Sequence, residues 1–66
     1  MKLRLKELRT AKKMSVKKLA ARSHISGAMI YAIERDERMP SLEIAHKLAQ
    51  ALGVTVDELI DREAGE

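Results

Sequence analysis

Apolar residues recur along the chain at the three- and four-residue spacing of amphipathic helices, in five stretches separated by short polar breaks. Leu5, Leu8 and Met14 mark the first stretch, and no Gly or Pro interrupts residues 1 to 26. This predicts a first helix over about 2–13. Ser15 is placed to cap a second helix over 15–22, in which Val16, Leu19 and Ala20 follow the i, i+3, i+4 pattern. Ser23, His24 and Ile25 form the next break. Ser26 then stands as N-cap of a third helix over 26–34 carrying Met29, Ile30 and Ile33. Residues 35–40 are mostly charged and end in the only proline, Pro40, which biases Met39 away from helical geometry and so predicts a loop. A fourth helix is expected over 41–52, with Leu42, Ala45, Leu48, Ala49 and Leu52 sharing one face and Gly53 where a left-handed terminal residue is wanted. Thr55 followed by Glu58 predicts a capping box that opens a fifth helix over 55–62, with Val56, Leu59 and Ile60 buried and the tail from Asp61 fraying.

Size and composition agree with this pattern and narrow what it can build. A chain of 66 residues buries only about 60% of its unfolded surface, so residues 1–66 are expected to form one domain with one small core. There is no Cys, Trp or Phe and a single Tyr, so neither disulfides nor thiolate-bound zinc can hold the fold together. The core must come from Leu, Ile, Val, Ala and Met packed between short helices, which predicts an all-α, compact five-helix bundle. No apolar run approaches the ~20 residues of a membrane span, and MKLRLKEL alternates charge with Leu where a signal peptide would be apolar. The expectation is a cytoplasmic protein.

Charge changes the picture more than its total suggests. The formal net charge is +3, but residues 1 to 22 carry nine Lys and Arg against one acid, Glu7, and residues 23 to 66 carry four against nine acids. A basic third set apart from an acidic remainder is the footprint of a polyanion binder with a preferred face. Solvated helix surfaces would give the same counts. Catalysis finds little support. The chain has no nucleophile elbow, no Gly-rich phosphate loop and no acid pair beside a base, and a core this small encloses no pocket for one. His24 and His46 lack metal-site spacing, so no metal and no cofactor is expected.

A three-residue break between the second and third helices matches the helix-turn-helix arrangement, in which the second helix of the pair enters the major groove through its N-terminal residues. Short helices with short turns also build bundles that bind no DNA. The segments LKELR at 5–9, SVKKLAARSHIS at 15–26, IYAIER at 30–35 and MPSLEIAHKLAQALGVTVDELI at 39–60 together resemble the repressor and Cro-type, or Xre-like, helix-turn-helix family. The resemblance implies a lambda-repressor-like five-helix domain that binds double-stranded DNA and regulates transcription, commonly as a repressor. It also implies a homodimer on a palindromic site.

Carried over residue by residue, the resemblance implies an ion pair between Arg9 and Glu34 that links the first helix to the reading helix at 27–34. Ser15 matches the position where a hydroxyl and neighbouring N–H groups meet a phosphate, and Lys17, Ser26, Arg35 and Arg38 are assigned to the same backbone-contacting set. Each of these cations is otherwise an ordinary surface charge. The base-reading positions correspond to Gly27, Ala28 and Ala32, none of which hydrogen-bonds a base through its side chain. Tyr31 is added to the base-facing set, the alternative being a ring laid on the core with its hydroxyl in water. Val16 stands where relatives commonly have Gln, and His24 and Asp36 stand where Gly is usual. If both adopt positive φ, each costs about 1 kcal/mol. Val54, Val56 and Leu59 are expected to supply the dimer contact. The alternative reading of the whole is a protein-interaction module that keeps this scaffold and has lost base reading.

Overall fold

In a computed structural model, residues 2–60 are described, and they form five helices: α1 (Leu5–Ala11), α2 (Val16–Ser23), α3 (Gly27–Glu34), α4 (Leu42–Leu52) and α5 (Val56–Leu59). The architecture is all-α. α2 packs on both α3 and α4, α1 closes against α3, and α4 carries α5. Leu5, Leu19, Ile30, Leu48 and Leu59, one from each helix, meet as the largest fully buried side chains. Fully burying such a side chain stabilises by about 1.5–3 kcal/mol, so these residues set how the helices sit on one another.

The helix starts follow from local chemistry. The side chains of Ser15, Ser26 and Ser41 each accept the backbone N–H three residues on, from Lys18, Met29 and Ile44, at 3.0, 3.1 and 3.2 Å. Thr55 and Glu58 form a reciprocal capping box, with Thr55 Oγ1 accepting from the Glu58 N–H at 3.0 Å and the Glu58 carboxylate accepting from the Thr55 N–H at 3.2 Å. Each cap satisfies a donor that a helix end leaves free. Gly53 ends α4 at φ 75°, the left-handed geometry that glycine takes without steric cost.

Both terminal helices are shorter than the periodicity predicts. The first does not begin at residue 2, because Leu3 pairs with Ile60 in an antiparallel bridge and the Arg4 N–H donates to the Leu59 carbonyl at 2.8 Å. It ends at Ala11, and Lys13 turns the chain at φ 55°. The fifth ends at Leu59, since Ile60 is extended at φ −74°, ψ 131° to meet Leu3. The remainder of the predicted fifth helix and its fraying tail lie outside the described residues. Leu42 departs as well: it was expected on the buried face of α4 but is 66% exposed at the first turn, where Ala45, Leu48, Ala49 and Leu52 do the packing. No helix among the described residues is long and apolar enough to cross a membrane.

Candidate nucleic-acid interface

The α2–α3 pair is held as a unit by its turn. His24 closes α2 in the left-handed region at φ 61°, its N–H donating to the Ala20 carbonyl. Ser23, expected in the break, instead ends α2; it is buried, and its hydroxyl accepts the Ile25 N–H at 3.2 Å. Ile25 is itself buried, so one apolar side chain pins the turn to the core while Ser26 starts α3. The angle of α3 is fixed from its other end. Arg9 Nε and Nη2 donate to the two carboxylate oxygens of Glu34 at 2.7 and 3.2 Å, and Arg9 Nη1 donates to the Met14 carbonyl at 3.0 Å. The pair is largely shielded, with 15% and 5% of its side chains exposed. The hydrogen bond to Glu34 raises the Arg9 pKa, outweighing the opposing effect of burial. One guanidinium thus ties α1, the α1–α2 loop and α3 together.

The face of α3 turned from the core carries Ala28 and Tyr31 exposed, with Gly27 and Ala32 partly covered and exposed Arg35 following as the C-cap. Its N-terminal half is small and bare of hydrogen-bonding side chains. Val16 is buried behind it, and a Cβ added at Gly27 would meet Val16 Cγ1 at 3.6 Å, an ordinary contact. Tyr31 is 48% exposed, and the Arg35 guanidinium sits over its ring, 5.8 Å from the centroid. Ser15, Lys17 and Ser26 are exposed near the starts of α2 and α3, and Arg35 and Arg38 are exposed after α3. Asp36 adopts φ 61° in that same loop and faces Lys2 across 3.5 Å. Lys6 and Lys18 join the exposed basic surface, and sequence reasoning gave them no role. The stacking of Arg35 on Tyr31 was also missed, although four-residue spacing on a helix puts an aromatic and a cation within reach.

The profile of the helix-turn-helix family matches residues 5–59. The chain belongs to the helix-turn-helix family. Its helix-turn-helix domain is 38% identical over 58 residues to the HTH-type transcriptional regulator DdrOP3 of Deinococcus deserti, covering 88% of this chain and 45% of that protein. The chain therefore spans less than half the length of that curated relative. Its fold is also similar to the crystal structure of the restriction-modification controller protein C.AhdI from Aeromonas hydrophila, with a TM-score of 0.83 and 42% identity over 86% of both chains.

One expected assignment of this helix-turn-helix domain needs correction. Leu59 was placed in the dimer contact with Val54 and Val56, but it is fully buried in the core and presents no surface to a second copy. The cause is the close seat of α5 on α4, with the Leu59 carbonyl also taken by Arg4. Val54 and Val56 are only partly buried.

Proposed function

We propose that this chain is a DNA-binding transcriptional regulator that lays α3 in the major groove and grips the phosphates on either side. The observation that carries this is the disposition of charge and size around α3. A thin, uncharged outward face at Gly27, Ala28 and Ala32 follows exposed Ser26 at the start of α3 and exposed Ser15 and Lys17 at the start of α2, and precedes exposed Arg35 and Arg38. A helix with small side chains approaches the groove floor closely, and the flanking groups sit where phosphates run. Base discrimination is weak, because Ala28 and Ala32 offer only apolar contact to thymine methyl groups. Two copies related by two-fold symmetry bind adjacent half-sites, since one domain this small spans about half of a typical operator. Val54 and Val56 are the residues left to line their contact. The relatives named as a transcriptional regulator and a controller protein support the regulatory role.

Titration of specific and scrambled duplexes at several salt concentrations tests the reading. Binding should fall steeply with salt, and Lys17→Ala should weaken all sequences alike while lowering the salt slope by about one unit. Absence of salt-dependent binding to any duplex overturns it.

A further inference from the structure

Between α1 and α3 lies an open cleft of ≈ 270 Å³, lined by Lys6 and Arg9 of α1, Tyr31 and Glu34 of α3, and Arg35 just beyond its end. Its most shielded charges cancel, because Arg9 and Glu34 hold each other in a two-bond pair. What the cleft offers to solvent is therefore positive. Lys6 and Arg35 are both exposed, and neither forms an ion pair with a carboxylate among the described residues. The Arg35 guanidinium sits over the Tyr31 ring, 5.8 Å from its centroid, and the phenol can donate a hydrogen bond of its own. An ammonium, a planar guanidinium and a hydroxyl are thus carried by residues that line one small opening. That donor set, with no acceptor left unneutralised beside it, suits a singly charged phosphodiester.

Resting on the DNA-binding reading above, we propose that Lys6, Tyr31 and Arg35 form a phosphodiester clamp, so that the first helix grips the DNA backbone alongside α2 and the loop after α3. Tyr31 shares the exposed face of α3 with Ala28, so a duplex seated against Ala28 brings its flanking backbone toward the cleft. The clamp gives α3 a second point of attachment at the end away from Ser26. Its role in this chain is to fix the tilt of a helix whose own N-terminal side chains are too small to fix it.

The test is a titration of the full chain on duplexes in which single phosphates are replaced by neutral methylphosphonates, at several salt concentrations. Lys6→Ala should lower the salt slope by about 0.9 and weaken binding several-fold at ~0.1 M salt. One methylphosphonate that weakens the unmodified protein should have no further effect on Lys6→Ala, and it should differ from the one silenced by Lys17→Ala. Tyr31→Phe should weaken binding about two- to fivefold with the slope unchanged, and Tyr31→Ala should do more because the platform under Arg35 is lost. If Lys17→Ala is weakened while Lys6→Ala keeps the unmodified affinity and slope at every salt concentration, the clamp is wrong and DNA binding stands. If the unmodified protein shows no salt-dependent binding, both fall together.

Discussion

The two sides of α3 are built on different terms. Its inward side is closely specified: Ile30 is fully buried, Ile33 is 3% exposed, and Glu34 is locked to Arg9 through two hydrogen bonds. The outward side carries Gly27, Ala28 and Ala32, with only Tyr31, and Arg35 just past the helix end, reaching far from the backbone. The placement of α3 and the chemistry it presents to solvent are thus carried by separate residues. Packing interactions tolerate little change, because a buried side chain touches many neighbours and a shielded charge needs its partner. Surface positions away from such contacts usually alter stability by no more than about 0.5 kcal/mol, so they are free to differ in what they recognise.

The contrast can be broken most forcefully from the inward side. Ile30→Ala removes a fully buried side chain from the inward face of α3 and should cost about 2–5 kcal/mol in denaturant or thermal unfolding. A loss below about 1 kcal/mol would mean that α3 is held mainly by something other than its apolar face. Glu34→Ala should come next, at about 2–4 kcal/mol, since Arg9 is left shielded without its counter-charge. Glu37→Ala, at an exposed loop position three residues on, should be near neutral in the same melts. Equal small losses in the two variants would show that the Arg9 pair contributes little to the placement of α3.

The outward side should respond in the opposite way, with recognition moving and stability staying still. Ala28→Gln puts an amide at an exposed position in the first turn of α3 and should leave the melting temperature nearly unchanged. It should sharpen base preference by about 1–3 kcal/mol at one position, read as a narrower motif in selection from a random DNA pool. A motif no narrower than that of the unmodified protein would place Ala28 away from the base edges.

Much of the scaffold was legible because its signals are local. Ser15, Ser26, Ser41, Thr55 with Glu58, and Gly53 mark helix ends through bonds and backbone angles that span three or four residues, and the sequence displays that spacing directly. The turn positions were partly legible: positive φ was foreseen as a condition at His24 and Asp36, whereas Lys13 at φ 55° carried no comparable signal. Arg9 and Glu34 are separated by 25 residues, and only the resemblance to a family brought them together. Nothing in the spacing announced that Arg9 also bonds the Met14 carbonyl.

What the sequence determined by itself was the set of amphipathic segments, their caps and the lopsided distribution of charge, since each depends on neighbours along the chain. Tertiary structure alone decided the rest. It drew Leu3 into a bridge with Ile60 and so shortened both terminal helices, left Leu42 facing solvent, and sealed Leu59 inside the core where a surface contact had been expected. It also set Tyr31 and Arg35 opposite Lys6 across one cleft. The physical reason is the same in each case: periodicity says which side of a helix is apolar, but burial depends on which distant element comes to cover that side.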